Sequence, residues 1–269
     1  MSYYKILGLN KEPFSTSPDP QFFYRSKDHF SALNRLEISI RLRRGLSLIL
    51  GDVGTGKTTL SRILLQNFAK ENNFVFHLIL DPSFKSEYQF LSYLIKIFDI
   101  QTQFNSTLDY KEALERYLYR QTVEDNKTII LMIDEGQKLT PDFLEILRVL
   151  LNYETNEYKM LQLVILSQLE ILPRLKKVRN FFDRISLKYT INPFDEMQTK
   201  EMIEFRLKEA GYANKLLFSD SAVNLIYLHT QGYPRQINCI CHDALRLAVS
   251  QDKNFIDRNL IEEVISENE

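Results

Sequence analysis

The sequence predicts an α/β fold: a five-stranded parallel sheet with helices on both faces, followed by a small all-helical region. Three observations carry this. Short apolar runs alternate with segments of helical spacing, a glycine-rich loop joins the first run to a helix, and no strand pattern follows Pro193. Strands that are apolar almost throughout belong to a parallel sheet covered on both faces by its crossover helices.

Residues 1–26 are rich in proline and aromatics, with Pro13-Phe14, Pro18-Asp19-Pro20 and Phe22-Phe23-Tyr24. They read as an extended arm held against the body by its rings. Residues 27–193 form the expected α/β core. It opens on a helix over 28–43, with Phe30, Leu33, Leu36 and Ile40 on one face. Strands are expected at 46–50, 74–80, 128–133, 161–166 and 185–191. Helices are expected after the glycine-rich loop and over 87–98, 108–123 and 141–153, the last opened by Pro141 in the first turn, where proline is tolerated. Residues 194–269 read as a helical lid with periods at 196–210, 219–231, 234–249 and 257–267, Ser219 capping the second.

With 44% hydrophobic and 26% charged residues the chain has the composition of a soluble globular protein. A formal charge of −1 gives no global attraction to nucleic acid or a membrane surface. No apolar run spans a bilayer, and the start lacks a signal peptide's apolar core. The two cysteines, Cys239 and Cys241, are too few for a disulfide framework, so a cytosolic compartment is expected. With His242 they lie in a helical pattern where residues two apart do not share a face, which argues against a metal site.

Gly51 to Thr58 read Gly-Asp-Val-Gly-Thr-Gly-Lys-Thr and fill the phosphate-loop pattern between strand and helix. Gly51, Gly54 and Gly56 let the backbone close on phosphates, and the following helix adds the positive end of its dipole. The ligand class is a nucleotide triphosphate with magnesium. Expected contacts are Gly51, Asp52, Val53, Gly54, Thr55, Gly56, Lys57, Thr58 and Thr59, with Lys57 on the outer phosphates and Thr58 a magnesium ligand. The run 129–133 delivers Asp134 and Glu135 at a strand's carboxyl end, where ligands collect in open parallel sheets. Asp134 suits the magnesium shell and Glu135 the polarisation of an attacking water. A solvated pair of acids is the alternative.

Gln168, with Ser167 as fallback, is the candidate polar sensor at the end of the fourth strand, unless it is simply a polar terminus. Arg235, behind Gly232-Tyr233-Pro234, stands at a helix start from which an arginine can lean over the outer phosphate. The stretch 174–184 is the most basic in the chain. It reads as an arginine finger for a neighbouring subunit (Arg184, or alternatively Arg179), as a phosphate-tracking surface for DNA, or as a solvated helix face.

Together these residues resemble AAA+ ATPases, and more closely the ExeA/GspA-type group. The resemblance covers nearly the whole chain. It is carried by Tyr-Tyr-x-x-Leu-Gly-Leu-x-x-x-Pro-Phe at Tyr3 to Phe14, Ser-Pro-Asp-Pro-Gln-Phe-Phe-Tyr at Ser17 to Tyr24, the phosphate loop, Ile-Asp-Glu-Gly-Gln at Ile133 to Gln137, and Gly-Tyr-Pro-Arg-Gln-Ile-Asn from Gly232. It implies strand order 5-1-4-3-2, a C-terminal helical lid, ATP with magnesium held between lid and core, homo-oligomers with an arginine supplied in trans, and Phe14 and its neighbours near the adenine. The chain departs from the group in having Gly136 where alanine is common and Leu169 where proline is common. It stops after the lid, so direct wall binding is not expected.

Three readings follow. The first is an ATP-hydrolysing oligomeric motor or switch serving envelope secretion, pilus or exopolysaccharide assembly, cytoplasmic or held peripherally at the inner membrane by a partner. The second is a transposition-helper ATPase loading on DNA. The third is a nucleotide-gated scaffold with negligible turnover.

Overall fold

The computed structural model describes residues 3–101, 106–213 and 216–268. In chain order the elements are α1 (Tyr3–Ile6), α2 (Lys27–Arg41), β1 (Leu46–Leu50), α3 (Lys57–Phe68), β2 (Phe74–Ile79), α4 (Glu87–Ile97), α5 (Thr107–Tyr119), β3 (Thr128–Ile133), α6 (Pro141–Leu150), β4 (Leu161–Ser167), α7 (Ile171–Lys177), α8 (Arg179–Phe182), β5 (Ile185–Thr190), α9 (Glu196–Glu209), α10 (Asp220–Thr230), α11 (Pro234–Ser250) and α12 (Arg258–Asn268). Single tight turns lie at Pro20–Phe22 and Gly136–Lys138, and a π-turn at Arg120–Glu124 extends α5. The chain forms two compact units. One comprises the described residues of 29–52 and 60–191, the other those of 1–28, 53–59 and 192–269.

The first unit holds a five-stranded sheet of order β2-β3-β4-β1-β5, every neighbouring pair parallel. This is the order the resemblance implied. β1, β3 and β4 are buried along their whole length, whereas the edge strands β2 and β5 are mostly half-exposed. Central strands need apolar side chains on both faces, which is why Leu, Ile and Val dominate their sequences. The core on the α4–α6 side gathers Phe90, Leu94, Leu114, Leu131, Leu147 and Leu163.

The helix over 28–43 differs from expectation in its buried face. Phe30 is 56% exposed, while His29, Leu33, Leu36 and Ile40 are buried. The inward stripe runs through position 29, and one residue of helix turns Phe30 about 100° away from it.

The second unit packs α9 to α12 around Ile203, Ile226, Ile237, Leu245 and Ile261. The proline- and aromatic-rich arm belongs to this unit, contributing Leu9, Phe14 and Phe22 to its core. Arg206 of α9 fixes it: the buried guanidinium donates to the carbonyls of Pro13 (2.7 Å) and Ser15 (2.9 Å) and lies 5.6 Å from the Phe22 ring. Burial lowers the Arg206 pKa to about 10, and the two carbonyls compensate the buried charge.

Candidate nucleotide site

Because all five strands are parallel, their carboxyl ends share one edge, and the polar residues of interest collect there. Gly51 follows β1 and donates its N–H to the Ser167 carbonyl at the end of β4 (3.2 Å). Asp134 follows β3 and donates its N–H to the Ile79 carbonyl at the end of β2 (2.8 Å). The sheet thus places Gly51, Ser167 and Asp134 side by side, at the carboxyl ends of β1, β4 and β3.

Beyond Gly51 the loop turns on Gly54 (φ +81°) and Gly56 (φ +95°) and enters α3 at Lys57. These are left-handed backbone positions that glycine adopts without steric cost. Two such turns leading straight into a helix start form a concave backbone suited to an anion, so the residues fit a nucleotide phosphate. Arg235, the second residue of α11, lies directly on this loop, its N–H donating to the Gly54 carbonyl (3.3 Å). A Cβ on Gly54 would sit 2.8 Å from the Arg235 Cβ, so only glycine allows this approach. The Arg235 side chain is exposed.

Asp134 is buried at 4% exposure, and its carboxylate accepts the N–H of Glu135 (2.9 Å). Glu135 itself has left-handed backbone (φ 53°, ψ 38°). For a non-glycine residue this costs about 1–2 kcal/mol and turns the chain sharply out of β3. Gln137, in the following turn, then folds back: its Nε2 donates to Glu135 Oε2 (2.5 Å). Its Oε1 accepts the Ser167 hydroxyl (3.3 Å) and the Gln168 N–H (3.2 Å). The turn's backbone is held from α7, where Arg174 Nη1 donates to the carbonyls of Gln137 (2.6 Å) and Leu139 (2.5 Å). Gly136 admits this packing, since a Cβ there would lie 2.4 Å from Ile165 Cγ2 on β4.

Several sequence expectations are refined. Phe14 is 1% exposed and meets Phe218 edge-on at 6.1 Å between centroids. Its ring is an anchor of the arm. Within the basic stretch Arg174 turns inward, while Lys176, Lys177 and Arg179 are exposed. Arg184 precedes β5, whose first residue pairs with Leu46 at the start of β1. It therefore lies at the edge opposite Gly51, roughly five residues of strand or ~17 Å away. Its Nε is buried without a hydrogen-bond partner. Its charge adds, behind that of Arg148, to the pull that holds the Glu145 carboxyl below its usual range. The Arg179 side chain is 88% exposed. Ser167 is buried and hydrogen-bonded to Gln137, and Gln168 is half-buried. Sequence reasoning missed Gln137 and Arg174. The available signal for Gln137 was a second polar group two residues beyond Glu135; Arg174 was hidden inside a charge run.

A family model described as the AAA domain matches residues 40–175, which include the loop, Asp134, Glu135 and Arg174. The chain belongs to the AAA domain family. It is 34% identical over 256 residues to "General secretion pathway protein A" of Aeromonas hydrophila, covering 94% of this chain and 46% of that protein. The chain spans about half the length of this relative. The AAA fold is shared with Drosophila ORC, solved bound to DNA (TM-score 0.71, 19% identity, 99% of this chain and 66% of that one). It is also shared with Cdc6p of Pyrobaculum aerophilum (0.70, 18%, 95% and 70%) and the RuvB Holliday junction branch migration motor of Thermotoga maritima (0.60, 14%, 92% and 73%). Among the described residues no helix of this AAA chain is long and apolar enough to cross a membrane.

Proposed function

We propose that this chain binds and hydrolyses ATP and works as a homo-oligomeric motor or switch for a cell-envelope secretion, pilus or exopolysaccharide assembly system. The observation that carries the activity is the sheet edge, which presents Asp134 and Glu135 with one strand, β4, between them and the start of the phosphate loop. Gly51 to Thr59 surround the triphosphate, Lys57 reaches its outer phosphates and Arg235 leans onto it from the start of α11. Glu135 polarises the water that attacks the terminal phosphorus, taking its proton as ADP leaves. Thr58 and Asp134 would hold magnesium, which neutralises phosphate charge when bound. Gln168, or Ser167 beside it, senses the terminal phosphate.

The position of Arg184 at the far edge from its own loop supports its use in trans, with Arg179 the alternate finger. The secretion assignment rests on the Aeromonas relative. A second reading, ATP-dependent loading on DNA, is favoured by exposed Lys176, Lys177 and Arg179 on consecutive short helices.

Turnover measured over a range of protein concentrations, with and without duplex DNA, tests these readings against Lys57→Ala as the blank. A rate per subunit that rises with concentration and ignores DNA supports the motor. A rate that needs DNA and falls steeply with salt moves the assignment to DNA loading. Glu135→Gln is expected to lower kcat by at least about 100-fold while ATP binding persists. An active Glu135→Gln protein would remove Glu135 from its role.

A further inference from the structure

We infer that Gln137 is a positioning residue for Glu135, and that Arg174 sets its position, so that the α7–α8 segment controls the catalytic carboxylate. The inference rests on the proposed ATPase activity but goes beyond it. A carboxylate on a left-handed residue at a strand end has its backbone fixed, yet its side chain needs a separate restraint. Gln137 supplies one, donating to one carboxylate oxygen at 2.5 Å and leaving the other oxygen for a water.

Gln137 also spends its acceptor on the end of β4, on the Ser167 hydroxyl and the Gln168 N–H. One amide therefore ties Glu135 to the residues expected to sense the outer phosphate. A shift of the end of β4 would pull Oε1 and swing Nε2 with it, because the amide is planar and its two ends move together. The third tie is to α7. Arg174 grips the main chain on both sides of Lys138, at the Gln137 and Leu139 carbonyls, and a guanidinium makes two short bonds with little freedom to slide. α7 runs into α8 and then Arg184, the segment offered to a neighbouring subunit. Contact made there is passed to Glu135 through Arg174 and Gln137.

The test uses the full chain with Gln137→Met, which keeps length and packing but removes the amide, together with Arg174→Ala and the double variant. Turnover, affinity for a fluorescent ATP analogue and the thermal midpoint are read for each. The expected result is a loss of about tenfold in kcat for Gln137→Met, with KM and nucleotide affinity within about twofold and the midpoint unchanged. Arg174→Ala should lose a similar factor, and the double variant no more than the larger single loss, since both act through one carboxylate. Arg174→Lys, which can still donate to both carbonyls, should recover part of the rate.

A kcat for Gln137→Met within twofold of wild type overturns the inference. So do losses that multiply in the double variant, or losses that track affinity and the midpoint. A wild-type chain that binds the analogue but shows no turnover above Lys57→Ala sinks the ATPase reading itself, and the inference with it.

Discussion

At the residue scale, two glycines explain why backbone and site are inseparable here. Gly232 (φ +74°) lets Phe194 and the turn before α11 lie so close that a Cβ would fall 1.9 Å from the Phe194 carbonyl oxygen. Gly54 does the same for Arg235 and the phosphate loop. Replacing Gly54 by alanine forces a left-handed alanine, at about 1–2 kcal/mol, and pushes the start of α11 off the loop. Nucleotide-analogue binding should weaken at least about tenfold, which is 1.4 kcal/mol, with the circular dichroism unchanged. Unaltered affinity in Gly54→Ala would mean that the approach of Arg235 does not shape the site. Glu135 carries strain of similar size, and it carries it where the sequence expects the chemistry.

At the element scale, the edge strand β2 depends on a polar contact under its covering helices. His77 Nδ1 lies 2.8 Å from the Ile97 carbonyl, which can only accept, so Nδ1 bears the proton. Nε2 then accepts from the Tyr117 hydroxyl (3.2 Å), whose pKa burial pushes up to about 12. Burial lowers the His77 pKa below its usual 6.5, so the folded chain binds the proton less readily than the unfolded chain. The stabilisation from a neutral His77 is complete above about pH 6.5 and is lost as the unfolded state protonates below it. Denaturant midpoints should therefore fall between pH 7.5 and 5.5, and His77→Leu should remove part of that slope. An identical slope in the variant would exclude His77 as a source.

At the scale of the whole molecule, the proposed finger predicts complementation. Arg184→Ala keeps its own loop and Glu135 but offers no arginine, while Lys57→Ala offers the arginine but cannot turn over. Each should be inactive alone, and an equimolar mixture should recover a substantial part of wild-type turnover. Recovery with Arg179→Ala in place of Arg184→Ala would transfer the role to Arg179, and no recovery from either would remove the trans arginine.

Much of this was legible in the sequence because it depends on local periodicity and spacing. The strands, the helical pattern after Pro193, the loop at Gly51 to Thr58 and the pair Asp134–Glu135 follow from apolar runs, helical spacing and glycine placement. Which edge a residue reaches is different. Phe14 turned into the arm's core, Arg174 turned inward from a basic run, and Gln137 folded back between two strands because of packing partners far away in the chain. Side-chain direction at turns and short helices depends on those partners, and one-dimensional pattern contains no term for them. The sequence by itself therefore determined the elements and the chemistry offered. The tertiary structure alone decided which side chains meet at the sheet edge, since burial and hydrogen-bond satisfaction are settled only when distant segments compete for the same space.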